Sequence, residues 1–263
     1  MFQNYGSAHI KRRKLNTRLI TYAALGGVMA LCLAVFWLVR MSGVFTVKAI
    51  TIEGALIGDE ASLIGQLKRQ VIGTTAGKFF GVENYFGWST GLTYSDIKYK
   101  GIEIAKDISG RTITVTATPR ERVIAWCDQT TETICYWTDE TGIAFETAPI
   151  PEGQLVLRVD DVRAEGTPPL LGNTVILPAQ FEVVKKILRG LGELAIRFNR
   201  ATLNRELQEL RVSTLAGAQL VFSTRFDPTA TALPAVERFR QSPGLANIKS
   251  VDLTVENRAF LKQ

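Results

Sequence analysis

A serine and a lysine three positions apart, two pairs of adjacent carboxylates and two nearby cysteines are the side chains in this 263-residue sequence whose types and spacing could do chemistry. Ser95-Asp96-Ile97-Lys98 fits the Ser-x-x-Lys spacing, in which a lysine serves a serine nucleophile from the next turn of a helix. The Lys-Thr-Gly and Ser-Asp-Asn companions of such a site are missing, and nothing requires residues 94–100 to be helical, so the four-residue match reads as chance. Asp139-Glu140 and Asp160-Asp161 would point to opposite faces of a strand, so neither pair makes an acid and base couple, and solvated turns account for both. The only histidine, His9, lies in a basic tail, which leaves no imidazole base for Ser-His or Cys-His catalysis and no imidazole metal site further on. Walker and dinucleotide glycine motifs and Cys-x-x-Cys spacing are all absent. The expectation is a protein that is not an enzyme, with no cofactor, no metal and no small-molecule substrate.

The charge says where the rest of the chain lives. The formal net charge is +6, but Lys11, Arg12, Arg13, Lys14, Arg18 and Arg40 fall in the first 40 residues, which hold no acid, leaving 25 basic against 25 acidic residues beyond. A neutral remainder has no bulk field for collecting phosphates, so nucleic acid is not an expected partner. Residues 19–39 carry no charge and as a helix would span about 31 Å, the thickness of one bilayer core. Basic residues crowd the near flank and Trp37 suits the far interface, so residues 1–18 should be a cytoplasmic tail and the C-terminal mass should be exported. A cleaved signal peptide is the alternative; the length of the run and the lack of a small-x-small site at its end favour an uncleaved anchor. Gly26, Ala30 and Ala34, four apart, form a small-residue stripe on which another membrane helix could pack; their commonness in spans is the plainer explanation.

The exported part reads as two pieces. Residues 45–54 suggest a strand closed by Gly54, and Asp59 is a candidate N-cap for a helix bearing Leu63, Ile64, Leu67 and Val71. Residues 73–95, with five glycines among Phe79, Phe80, Tyr85, Phe86 and Trp88, fit a loop over the small core better than an aromatic contact surface. Strands are expected next over 101–105 and 111–118, the second with Ile113, Val115 and Ala117 inward. From Glu121 the pattern is mainly β, with strands expected over 123–127, 134–137, 143–145, 155–159, 207–213, 218–224 and 248–260. A core helix is expected over 179–198 and a short one near Pro234.

Cys127 and Cys135 end facing strands, where either a cross-strand bridge or two partly buried thiols would fit. The final strand has Val251, Leu253 and Val255 on one side and Ser250, Asp252 and Thr254 on the other. It could stand at a sheet edge and accept a partner's strand, or pair internally with Glu256, Asn257, Arg258 and Lys262 guarding the edge.

These segments, in this order, resemble the FtsQ/DivIB cell-division proteins of bacteria. The residues that carry the resemblance are the short basic tail, the single span, Phe45-Thr46-Val47-Lys48-Ala49-Ile50-Thr51-Ile52-Glu53-Gly54, Arg120-Glu121-Arg122-Val123-Ile124-Ala125-Trp126, Tyr136-Trp137-Thr138-Asp139-Glu140-Thr141-Gly142-Ile143-Ala144-Phe145 and Val251-Asp252-Leu253-Thr254-Val255-Glu256-Asn257-Arg258. The resemblance implies an α+β chain: a cytoplasmic tail 1–18, a transmembrane helix 19–39, a POTRA-like βααββ domain over 44–119 and a mainly β domain with packed helices over 120–263. It also implies a septal scaffold in the bacterial cell membrane that binds FtsB- and FtsL-like single-span proteins by strand addition. The docking residues would be Val251, Asp252, Leu253, Thr254, Val255, Glu256, Asn257 and Arg258, with Thr254 and Val255 central. A POTRA-bearing chaperone or assembly module and an anchored wall hydrolase are the alternatives from other classes.

Overall fold

The computed structural model describes residues 6–55, 59–91, 93–129, 133–151, 156–162, 169–242 and 244–262, with side chains from residue 19 onward. The side chains of the basic tail therefore lie outside the described residues. The chain is α+β and divides into two units, Met1–Ser95 with Gly101–Thr118, and Asp96–Lys100 with Pro119–Gln263. The sequence reading runs its first folded domain unbroken over 44–119, whereas here residues 96–100 group with the second unit.

The first unit begins with helix α1, Gly6–Met41. Within it Leu19–Met41 is long and apolar enough to cross a membrane, with a mean hydropathy of 2.2 and none of it buried inside the chain. Strand β1 (Ala49–Glu53) leads to helices α2 (Glu60–Gly73) and α3 (Thr75–Phe80), a 3-10 turn at Tyr85–Gly87, and strands β2 (Tyr99–Asp107) and β3 (Thr112–Pro119). The sheet order is β1-β3-β2, with β1 parallel to β3. β3 buries Ile113, Val115 and Ala117, the alternation expected of a strand with one face on a core, and α2 covers that core with Leu63, Leu67 and Val71. Asp59 occupies the position before α2, but its side chain makes no capping hydrogen bond.

Residues 73–91 hold more regular structure than a loop. The Thr74 hydroxyl accepts from Gly77 N at 2.9 Å to start α3, and Asn84 Oδ1 accepts from Phe86 N at 3.0 Å to start the 3-10 turn. The glycines allow close passage: a Cβ on Gly77 would stand 1.8 Å from the Val71 carbonyl oxygen, and one on Gly87 would stand 1.9 Å from that of Gly81. Tyr85, Trp88 and Tyr94 are core residues, and Trp88 Nε1 donates to the Val82 carbonyl at 2.8 Å.

The second unit holds strands β4 (Ile124–Asp128), β5 (Ile134–Thr138), β6 (Ala144–Ala148) and β7 (Arg158–Val162), helix α4 (Pro178–Glu193), strands β8 (Phe198–Asn204), β9 (Glu209–Thr214) and β10 (Gln219–Ser223), helix α5 (Ala232–Gln241), and strands β11 (Ser250–Leu253) and β12 (Phe260–Lys262). They form a nine-stranded mixed sheet ordered β12-β11-β10-β9-β8-β7-β4-β5-β6. Parallel neighbours need a crossover: α4 joins β7 to β8, α5 joins β10 to β11, and the strands β5 and β6 intervene between β4 and β7. Their apolar faces join the sheet in one core containing Trp126, Phe181, Leu188, Leu210, Phe222 and Val236.

α4 buries Phe181, Val184, Leu188 and Leu191 as the periodicity predicts, but it ends at Glu193 and not near residue 198. Ala195 turns to φ +52°, and the amides of Ala195 and Ile196 donate back to the carbonyls of Gly192 and Leu191, both at 2.9 Å. That closes the helix with a left-handed residue that is alanine where glycine is usual, so the sequence carries no stop signal there. Phe198 consequently opens β8. The strand expected over 155–159 is β7, displaced to Arg158–Val162, with residue 155 outside the described residues.

Candidate functional site

The expected docking strand is not the sheet edge. β11 lies between β10, parallel to it, and β12, antiparallel to it, so the stretch expected as one strand over 248–260 is two short strands and a turn. Val251 and Leu253 are core side chains, 0% and 1% exposed. Asp252 organises the turn after β11, accepting from Thr254 N at 2.9 Å and Thr254 Oγ1 at 2.6 Å. The turn is closed by Arg258 N donating to Val255 O at 3.2 Å, with Asn257 at φ +62°. Val255, Glu256, Asn257 and Arg258 are exposed there, Val255 to 45%.

The outer edge belongs to β12. Phe260 is 52% exposed, Leu261 packs against the core, and no further strand of the described residues pairs with β12. Phe260 and Leu261 lie on the edge strand outside the residues that the resemblance marks for docking, and Lys262, expected to guard the edge, lies on it; Asn257 is the one sign in the sequence of a turn between two strands. At the opposite edge, β6 is partly covered, since Ala144 N donates to Asn173 O at 3.0 Å and Gly172 N to Ala144 O at 2.7 Å. The chemistry available at β12 is main-chain pairing, with Phe260 and Val255 as the nearest exposed apolar groups.

Asp160-Asp161 is not a solvated turn, and Asp139-Glu140 is a turn in which only Glu140 is exposed. Asp160 and Asp161 sit in β7, 2% and 0% exposed, because arginines reach them from distant elements. Asp160 accepts from Arg158 Nε at 2.7 Å, Arg200 Nε at 2.8 Å and Gln129 Nε2 at 3.1 Å. Asp161 accepts from Arg205 Nη2 at 2.5 Å and from Trp126 Nε1 at 2.9 Å. Glu140 is half exposed in a turn, but Asp139 is fully buried, pairing with Arg120 and accepting from Thr141 N, Thr141 Oγ1 and Ile143 N at 2.8, 2.7 and 3.1 Å. Arg122 makes a second link, donating to Glu146 Oε2 at 2.7 Å and lying 5.6 Å from the Trp137 ring centre. These groups hold strands together, and Arg158 also lines a cavity with Leu188, Ile196 and Phe198.

Burial pushes the Asp139 carboxyl up, but the Thr141 hydroxyl, the Ile143 and Thr141 amides and Arg120 together hold it below the ordinary carboxylate range. A depressed folded-state pKa gives stabilisation that is complete above the unfolded value of about 3.9 and is lost as pH falls through the folded one. Asp139→Asn should therefore cost about 2–4 kcal/mol at pH 7, and the gap to wild type should narrow below pH ~4 in urea denaturation. A gap independent of pH would contradict this assignment.

Cys127 and Cys135 stand directly opposite in the β4–β5 register with Cα atoms 4.0 Å apart, and their sulfurs are bonded. Cys32 is exposed on α1, as are Gly26, Ala30 and Ala34, with nothing within 4 Å of a Cβ built on Gly26. Residues 96–98 run as a turn, with Asp96 Oδ1 accepting from Lys98 N at 2.8 Å, and not as the helix that the Ser-x-x-Lys pattern requires. Among the described residues no group of three or more His, Cys, Asp or Glu side chains could hold a metal ion. No family model matches the chain, and no curated protein matches it.

Proposed function

We propose that the chain is a non-enzymatic scaffold of the FtsQ/DivIB kind, anchored in the bacterial cell membrane by α1, with its tail in the cytoplasm and residues 44–263 exported. It holds FtsB- and FtsL-like single-span division proteins by adding one of their strands to the free side of β12. The observation that carries this reading is the sheet order, which ends on a three-residue strand with no neighbour on its outer side among the described residues. The order β1-α2-α3-β2-β3 with sheet order β1-β3-β2 supports a POTRA-like first domain. Arg120 paired with Asp139 supports the resemblance, since it ties two of its motifs together. The bonded Cys127–Cys135 pair supports export, because disulfides persist in oxidising compartments, and the basic flank of α1 gives the same orientation.

The test is to end the chain after Ala259, so that β12 is removed and the core strand β11 is kept. Capture of an FtsB-like partner by the detergent-solubilised chain should be lost, with the circular dichroism spectrum unchanged. Undiminished capture by the folded, shortened chain would overturn the reading.

A further inference from the structure

The exported end of α1 is built into the first unit and does not hang from it. Asn84, 3% exposed, donates Nδ2 to the Val39 carbonyl at 3.1 Å, and Arg111 Nη1 donates to the Gly43 carbonyl at 2.7 Å. The Val39 carbonyl lies in the last turn of α1, where a helix leaves acceptors unpaired, and the Gly43 carbonyl just beyond it also accepts from Thr46 Oγ1 at 2.7 Å. Aromatic rings continue the contact. Phe36 on α1 lies 5.6 Å from Phe80 and 6.3 Å from Phe79, Phe80 lies 5.8 Å from Phe86, and Phe86 lies 5.1 Å from Phe45.

Phe36 is inside the apolar run Leu19–Met41, five residues before its end, hence about 7.5 Å below that end at a rise of about 1.5 Å per residue. Rings that touch Phe36 share its depth, which is the ~5–10 Å to which apolar side chains of interfacial elements sink. The rest of the unit's surface has the same polarity. Outside α1 the exposed large apolar side chains among its described residues are Val44, Ile72, Phe79, Phe86 and Ile108, 64, 51, 55, 41 and 73% exposed. Four of these belong to segments at the α1 end: Val44 follows α1, Phe79 and Phe86 are in the ring cluster of Phe36, and Ile108 is in the turn whose Arg111 holds Gly43. Exposed Arg40, Lys48 and Lys78 at this end suit anionic headgroups.

We propose that α3, the Tyr85–Gly87 turn and the β2–β3 turn form a lipid-binding collar that seats the first unit in the outer interface of the bilayer crossed by α1. The proposal rests on the reading of α1 as a span. Phe79, Phe86, Val44 and Ile108 enter the headgroup and acyl boundary, so the unit's orientation to the membrane is set by lipid contact as well as by the α1 junction.

The test uses the full chain in vesicles of phosphatidylethanolamine and phosphatidylglycerol. A Cys32→Ser background receives a nitroxide label at Phe79→Cys, Ile108→Cys, Met29→Cys within the span, or Ala61→Cys in the first turn of α2, and collisions with oxygen and with a water-soluble nickel chelate are compared. Labels at 79 and 108 should shift toward oxygen relative to the label at 61, reading a depth between it and the label at 29. Labels at 79 and 108 reading like that at 61 while 29 reads deep would overturn the collar and leave the span standing. A water-exposed label at 29 would overturn both. Shielding of 79 and 108 from both reagents would indicate protein contact and also overturn lipid docking. Position 108, on a separate loop, tests the collar even if the change at 79 disturbs α3.

Discussion

Asp161→Ala is expected to lower the unfolding free energy of the second unit by about 3–5 kcal/mol, the usual cost of removing one partner of a buried ion pair. The carboxylate is fully buried in β7 and accepts from Arg205, which follows β8, and from the indole N–H of Trp126 on β4. Without it the Arg205 guanidinium keeps the Val175 carbonyl at 2.6 Å but has no counter-charge, and the Trp126 N–H loses its acceptor inside the core. The double change Asp161→Leu with Arg205→Met should recover much of the loss, because an apolar pair needs no compensation. Urea denaturation followed by near-ultraviolet circular dichroism reads the difference. A loss under about 1 kcal/mol would mean that the pair is solvated and not structural.

Gly142→Ala is expected to cost about 2–4 kcal/mol, for two separable reasons. Gly142 sits at φ +82°, a conformation that costs an L-residue about 1–2 kcal/mol. Its Cβ would also stand 2.7 Å from Cγ of Phe181, whose ring is fully buried and packs 6.1 Å from Trp126. The ring cannot retreat without disturbing the centre of the core, and overpacking typically costs about 1–3 kcal/mol. Combining the change with Phe181→Leu should relieve the clash but not the backbone strain, so the double variant should lose less than the two single-site costs added together. A denaturation midpoint unchanged by Gly142→Ala would contradict the close packing of this turn on α4.

The elements that declared themselves in the sequence are those whose two sides meet different solvents. Residues 19–39 of α1 are an unbroken uncharged run, β3 alternates because only one face is buried, and α4 repeats at three and four because one stripe meets the sheet. Where sequence and structure differ, the deciding partner is remote or the stop signal is absent. Asp160 and Asp161 look like surface residues until Trp126, Arg200 and Arg205, 35 to 44 positions away, are folded against them. Ala195 ends α4 in a conformation that alanine rarely signals, which hides β8 behind it. Near the C-terminus the sequence leaves open whether the strand at 250–255 is an edge or pairs internally, and in the structure it pairs internally. β12 is three residues long, too short for alternation to register, and it alone decides that β11 is an interior strand.

If partners are held by main-chain pairing at β12, the amides of that strand must change state on binding. Amide hydrogen exchange of the full chain in detergent, with and without an FtsB-like partner, tests this most directly. Binding should slow exchange most strongly at the amides of Phe260–Lys262 that face away from β11, with weaker protection reaching the turn at Val255 and Arg258. Protection confined to another surface, or a bound complex in which the β12 amides exchange as fast as in the free chain, would contradict it.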